Sequence, residues 1–229
     1  MNIYKKAGRI VGLFFICATV AGILGMFFSG SVQTSDYLIQ VSENKNQMLM
    51  ASFFILIMAV SVAGIAITAY PILKKNNQSL ALGYVCARIV EGILFILTVF
   101  SWLILILLSQ EYVRAGSPDA SYFQTIGNLL LSVSNWAGHV VLDIVIAPVH
   151  YLIFYFLLYR SKLVPRWLSV WGLIGVPCWL AAGVLAVFDF DPTSNLLIIL
   201  NLPIAINEMV LAVWLIIKGF KPPETASRK

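Results

Sequence analysis

The sequence predicts an all-α protein, a bundle of about six helices that cross a membrane. The first observation is composition: of 229 residues, 60% are hydrophobic and 11% are charged. A soluble domain usually carries about 25% charged residues, because polar side chains must cover the surface that faces water. The mean hydropathy of +0.92 points the same way. This composition excludes a soluble globular protein and indicates a lipid bilayer as the surrounding medium.

The second observation is the length of the apolar segments. A helix that crosses a bilayer needs roughly 20 mainly apolar residues, since each residue rises about 1.5 Å. Six segments meet this criterion, at residues 9–28, 48–73, 80–108, 136–159, 167–188 and 196–217. Each apolar run is continuous and does not alternate with polar residues, which favours helices over strands. We expect residues 1–229 to form a single integral membrane domain.

The third observation is the distribution of basic residues, which gather at one end of the predicted spans. These residues are Lys5, Lys6, Arg9, Lys74, Lys75, Arg160, Lys162, Arg166, Lys218, Lys221, Arg228 and Lys229. The opposite loops carry Lys45 and Arg114 together with Asp36, Glu43, Glu111, Asp119, Asp189 and Asp191. Cytoplasmic loops are enriched in Lys and Arg, so both termini are predicted to be cytoplasmic in a multi-pass protein of the cell membrane. Short basic clusters of this kind suit anionic lipid headgroups, and we expect no nucleic-acid binding.

Three further segments have their own predictions. The stretch 122–133 is moderately apolar, and it is either an interfacial helix or an outward extension of the fourth span. The tail 218–229 contains Pro222 and Pro223 and is expected to be disordered. Pro203 lies inside the sixth segment, five residues before Glu208, and is a candidate for a helix break of the kind that transporters use near a binding site.

Two stretches of the C-terminal third carry a resemblance. They are RSKLVPRWLSVWGLIG at 160–175 and NEMVLAVWLIIKGF at 207–220, accompanied by Ala87, Arg88 and Ile89 in the third span. With them, the chain resembles the domain of unknown function 4386 family of bacterial multi-pass membrane proteins. The resemblance implies a polytopic protein of the bacterial plasma membrane and implies no activity. The first stretch is also explained physically as a cytoplasmic turn, with Trp167 at headgroup level and Pro165 at a helix start.

Ionisable residues inside the predicted spans are the candidate functional residues, because a charge in the bilayer costs several kcal/mol. Arg88 and Glu91 lie three residues apart on the third span and are neighbours on a helix. On the fourth span, His139, Asp143 and His150 share one face at about 100° per residue. The predicted buried polar core, drawn from spans three, four and six, comprises Arg88, Glu91, His139, Asp143, His150, Asn201 and Glu208.

Depth along the helices divides this core into two layers. Counted from the cytoplasmic ends, an inner layer at about 12–17 Å contains Arg88, Glu91, His150 and Glu208. An outer layer at about 25 Å contains Asp143 and Asn201, with His139 further out. A guanidinium cannot lose its charge, so we expect Arg88 to pair with Glu208 or with Glu91.

Three functions are compatible with such a core. It could be a structural network that fixes helix packing in a membrane scaffold or partner subunit. It could be a pocket or pathway for a proton or a small polar solute, with a relay from Glu91 through His150 and Asp143 to His139. It could also serve an intramembrane metal-dependent hydrolase, in which His139 and Asp143 are the candidate metal ligands.

The motifs favour a non-enzymatic protein. The sequence contains neither a His-Glu-x-x-His motif nor a Gly-x-Ser-x-Gly motif. No cofactor is expected, because His139 and His150 on one helix face cannot clamp a haem from both sides, and no mid-membrane lysine is present for retinal. We therefore favour transport or sensing of a small solute or proton; the sequence identifies neither the ligand nor the oligomeric state.

Overall fold

The structure, a computed structural model, describes residues 3–34, 36–116, 120–188 and 195–222, and within these ranges it contains helices and no strand. The helices are α1 (Ile3–Phe28), α2 (Tyr37–Glu43), α3 (Lys45–Leu73), α4 (Gln78–Arg114), α5 (Ala120–Asn135), α6 (Ala147–Ser161), α7 (Arg166–Val187) and α8 (Asn195–Lys218). A short 3-10 helix at Gly30–Gln33 follows α1, and a π-helix at Trp136–Ile146 joins α5 to α6.

Six of these helical units are long and apolar enough to cross a membrane: α1, α3, α4, the continuous unit Ser121–Ser161, α7 and α8. The prediction of an all-α transmembrane bundle is therefore confirmed, and the chain is a multi-pass membrane protein. With an even number of spans, α1 begins and α8 ends on one side of the bundle, which we call the terminal side; the opposite side is the far side. The cytoplasmic location of the terminal side remains a prediction. Five residues used for that prediction lie outside the described residues: Asp119, Asp189, Asp191, Arg228 and Lys229.

The spans form a ring. Each span packs against the next one along the chain, and α1 packs against α8 to close the ring in the order α1, α3, α4, α6 with the π-helix, α7, α8. The closing contact is tight, because a Cβ placed on Gly12 would lie 2.6 Å from the carbonyl oxygen of Ala212. In this order α4 faces α8 across the ring, so their inward side chains can meet at its centre.

The far side carries a helical extension. α4 has 37 residues and a length of about 55 Å, well beyond the roughly 30 Å hydrocarbon thickness of a bilayer. α5 packs beside its far end, with the rings of Tyr112 and Phe123 5.5 Å apart. α2 joins them, since the Tyr37 hydroxyl donates to Asn128 Oδ1 at 2.9 Å. The stretch 122–133 thus belongs to the continuous helical unit Ser121–Ser161 that includes the fourth span, and its position relative to the membrane interface stays a prediction.

The terminal side is closed by the end of the chain. After α8, Gly219 adopts a positive φ of 74°, and the chain turns back between α1 and the α6–α7 turn. The amide of Phe220 donates to the Tyr4 carbonyl at 3.3 Å, and the amide of Lys221 donates to the Leu163 carbonyl at 2.8 Å. The predicted disorder of the tail concerns mainly residues 223–229, which lie outside the described residues.

Irregular backbone occurs in the fourth span and not at Pro203. α8 runs without interruption from Asn195 to Lys218 across that proline. The π-helix instead widens the fourth span, and the amide of Ala147 donates to the carbonyl of Leu142, five residues earlier. Pro148 follows immediately and has no N–H to donate, which disfavours the regular α-helical pattern just before it. π-helical turns are rare and are frequent at functional sites.

Candidate functional site

A cavity of about 290 Å³ lies at the centre of the ring, and all six spans contribute to its wall. Apart from His150, every residue of the predicted polar core lines it: Arg88, Glu91, His139, Asp143, Asn201 and Glu208. The remaining wall is mainly apolar and aromatic, including Phe15, Phe95, Tyr151 and Trp179. Residues that are far apart in the sequence therefore meet in one space inside the bundle.

Arg88 forms the terminal-side end of the cavity. Its Nη1 is 2.7 Å from Glu91 Oε2 on the same helix, and its Nη2 is 3.7 Å from Glu208 Oε1 on α8. Its Nε donates to the hydroxyl oxygen of Tyr84 at 3.3 Å. The sequence left open whether Arg88 pairs with Glu91 or with Glu208, and in the structure it contacts both.

His150 lies behind this ion pair. Its side chain is fully buried, and its Nε2 is 3.3 Å from Glu91 Oε2 although the two atoms are not aligned as a hydrogen bond. Its Nδ1 has no hydrogen-bond partner among the described residues. The ring is packed beside Tyr151, with centroids 4.3 Å apart. His150 thus contacts Glu91 from outside the cavity and is not part of the cavity wall.

The far-side half of the cavity contains the second polar group. Trp179 Nε1 donates to Asp143 Oδ1 at 3.2 Å, and His139 Nδ1 is 4.0 Å from Asp143 Oδ2. The His139 side chain is 52% exposed, whereas that of Asp143 is 14% exposed. Asn201 Oδ1 is buried and has no hydrogen-bond partner within the ranges that the structure describes. This half of the cavity therefore presents hydrogen-bonding groups that the protein itself leaves partly unused.

An aromatic layer separates the cavity from the terminal side. Tyr84, Phe154 and Tyr155 are each at most 1% exposed. Tyr84 stacks on Phe154 with ring centroids 4.9 Å apart, and Phe15 of α1 reaches Phe154 of α6 at 6.1 Å. Since α1 and α6 face each other across the ring, these rings fill its centre at this level. These rings thus block the space between the spans on the terminal side of Arg88.

Three aromatic residues of the site were missed in the sequence: Tyr84, Tyr151 and Trp179. They lie in apolar runs where aromatic residues are ordinary. A detectable signal existed for Tyr84, which precedes Arg88 by four residues and so shares its helix face. The sequence signal for Trp179 was weaker: its indole N–H lies far from both ends of the span and therefore needs a hydrogen-bond acceptor inside the bundle. Asn207, fully buried, was also missed as a packing residue, and its Nδ2 donates to the Leu168 carbonyl at 3.0 Å.

Few side chains in the cavity could act as ligands of one metal ion. Among the described residues, no His, Cys, Asp or Glu joins His139 and Asp143 to make a group of three possible ligands. A catalytic zinc site usually supplies three protein ligands.

Comparison with known proteins identifies the family. No match was found among curated proteins, and none among solved structures. The model of the family described as "Domain of unknown function (DUF4386)" matches residues 10–219, which includes every residue lining the central cavity and all but Phe220 of the two stretches that carried the resemblance. The chain therefore belongs to the DUF4386 family of domains of unknown function.

Proposed function

We propose that this protein binds a small polar solute or a proton in the central cavity, within the bacterial plasma membrane and with both termini in the cytoplasm, and that it transports or senses what it binds. The observation that carries the proposal is the cavity itself, about 290 Å³ and lined by three carboxyl groups and one imidazole besides the Arg88 guanidinium. Protein interiors are close-packed, and a cavity of about 150 Å³ is already large enough to bind benzene. A purely structural network would pair these groups directly and leave no such space.

The composition of the wall favours a positively charged solute. Glu91, Asp143 and Glu208 contribute three carboxyl groups, and Arg88 is the one guanidinium among the lining residues. Arg88 is already occupied by Glu91 at 2.7 Å. The rings of Tyr151 and Trp179, with centroids 5.7 Å apart, offer aromatic faces to which a cation is attracted. A proton would use the same carboxyl groups.

Water accessibility of the cavity tests the proposal. The native cysteines Cys17, Cys86 and Cys178 are first replaced by serine, and Asn201→Cys or Ile199→Cys is then introduced. Asn201 lines the cavity, whereas Ile199, two residues away on the same helix and therefore at similar depth, is 60% exposed on the surface of the bundle. Membranes that contain each variant are treated with a membrane-impermeant methanethiosulfonate reagent.

We expect the thiol at position 201 to react and the thiol at 199 to stay unmodified, because lipid excludes the charged reagent. Equal lack of reaction in two well-folded variants would contradict a solute-binding cavity and favour a structural network. Protection of the 201 thiol by candidate ammonium compounds would then identify the solute class.

A further inference from the structure

A second concave site lies on the terminal side, separate from the central cavity. Its volume is about 390 Å³, and it is formed by the end of α6, the turn that leads into α7, and the chain after α8. Three cationic side chains from these three segments line it: Lys162, Arg166 and Lys221. None of the described residues that line it is acidic. We call it the basic pocket.

Backbone and ring contacts position two of the three basic residues. The amide of Lys221 donates to the Leu163 carbonyl at 2.8 Å, which ties the chain after α8 to the α6–α7 turn. The Arg166 guanidinium lies 5.5 Å from the Tyr159 ring centre. None of the three cations forms an ion pair with a carboxylate within the described ranges. Converging cations repel one another, so this arrangement is favourable when an anion lies between them.

The start of α7 adds backbone donors. This helix of 22 residues begins at Arg166, and no side chain hydrogen-bonds to its first turn from the capping position, Pro165. The first N–H groups of a helix lack partners within the helix and carry the positive end of its dipole. Phosphate and other anions bind at such ends. Here the helix start coincides with a concave site whose three cations have no carboxylate partner among the described residues.

From this geometry we infer that the basic pocket binds an anionic phosphate group. The rings of Tyr159 and Trp214 lie beside Arg166 and Lys221, and aromatic residues of this kind prefer the membrane interface. The phosphate of an anionic lipid headgroup therefore reaches the pocket from the adjoining leaflet. A soluble phosphate ester offers the same chemistry from the aqueous side, and the experiment separates the two sources. This inference does not depend on the proposed function of the central cavity.

Lipid binding to purified protein in non-ionic detergent tests the inference by native mass spectrometry. Dioleoyl phosphatidylglycerol is compared with dioleoyl phosphatidylcholine, which has the same acyl chains and a zwitterionic headgroup. The pocket variant carries Lys162→Gln, Arg166→Gln and Lys221→Gln. The matched control carries Lys5→Gln, Lys6→Gln and Lys74→Gln, which removes the same charge from the same side but outside the pocket. The single variant Lys221→Gln, at an exposed position, is measured as well in case the triple variant folds poorly.

We expect the wild type and the control to bind phosphatidylglycerol at least about tenfold more tightly than phosphatidylcholine, and the pocket variant to lose that preference. Inorganic phosphate at millimolar concentration is then added. If it leaves the lipid bound, the lipid headgroup is the source; if it displaces the lipid, a soluble phosphate ester is the source, and both results support a phosphate site. Equal losses in the pocket and control variants, or unchanged binding in the pocket variant and in Lys221→Gln, would overturn the inference.

Discussion

Arg88 and Glu208 join α4 to α8 across the centre of the ring, with Nη2 and Oε1 3.7 Å apart. These helices are not neighbours in the ring, so this contact bridges its two sides at the end of the cavity. Arg88 stays attached to α4 through Glu91 at the shorter distance of 2.7 Å. A movement of α8 away from α4 would therefore break the contact to Glu208 first and leave Arg88 paired. The structure thus contains one strong ion pair within a helix and one weaker contact that depends on the position of α8.

The buried pair is expected to be far more important for stability than an exposed pair of the same geometry. Arg88→Met leaves Glu91 and Glu208 without their cation, and removing one partner of a buried ion pair typically costs about 3–5 kcal/mol. Arg114 and Glu111 provide the control, because they are also three residues apart and 2.8 Å from each other but are 74% and 63% exposed. Arg114→Met should cost about 1 kcal/mol or less. Unfolding in detergent, followed by far-UV circular dichroism, measures both losses, and similar small losses would contradict this ranking.

The two carboxylates that contact Arg88 are expected to contribute unequally to the stability of the folded protein. Glu91→Gln removes the carboxylate charge 2.7 Å from Arg88 and beside His150, and we expect a loss of about 3 kcal/mol. Glu208→Gln leaves Arg88 paired with Glu91 and removes only the longer contact of 3.7 Å, so a loss of about 1 kcal/mol is expected. The same unfolding assay, extended to the double variants with Arg88→Met, yields the two coupling energies. A larger coupling energy of Arg88 with Glu208 than with Glu91 would contradict the expectation that the shorter contact is the stronger one.

Much of the fold followed from the sequence because the bilayer restricts the choices. Once composition required lipid, the length of each apolar run set the number of spans, and continuous helices were the remaining solution. Residues three or seven apart on a helix share a face, so the sequence predicted that Arg88 and Glu91 share one face of their helix and that Asn201 and Glu208 share one face of theirs. All four line the central cavity.

What could not be predicted depends on contacts between helices. Both faces of a lipid-embedded helix are apolar, so no periodicity in the sequence indicates that α1 packs against α8. The prediction that His139 and His150 share a face assumed a straight α-helix. The π-helix between them changes the number of residues per turn, and this rotates His150 relative to His139. In the structure His139 lines the cavity and His150 does not. The partner of Asp143, Trp179, is 36 residues away and lies on another helix, where spacing rules do not apply.

The close approach of α7 to the π-helix yields a third prediction. A Cβ placed on Gly183 would lie 2.9 Å from the Cβ of Asp143 and 3.1 Å from its carbonyl oxygen, so an added methyl group must displace the backbone that carries Asp143. Gly183→Ala is expected to cost about 1–3 kcal/mol of stability, the usual cost of overpacking. Gly30→Ala is the control, because no atom lies within 4 Å of a Cβ placed there. Thermal unfolding of the two variants in detergent measures the difference, and equal stability would show that the π-helix can move at little cost.

The far-side extension provides a prediction about alkaline pH, because burial raises the pKa of the Tyr37 phenol above its usual value of about 10. The Tyr37 hydroxyl is protonated in the folded protein and donates to Asn128 Oδ1 at 2.9 Å, whereas in the unfolded chain the phenol loses its proton near pH 10. Its contribution to stability is therefore complete below about pH 10 and is lost as the pH rises through the raised pKa.

Tyr37→Phe should be about 1 kcal/mol less stable than the wild type at pH 8, and this difference should shrink above pH 10. Tyr122→Phe on α5, where the side chain is 63% exposed, is the control and should match the wild type at every pH. Thermal unfolding between pH 8 and pH 11 checks the prediction. If the stability difference between Tyr37→Phe and the wild type stays constant over this range, the hydrogen bond that Tyr37 donates from α2 to α5 does not contribute to stability.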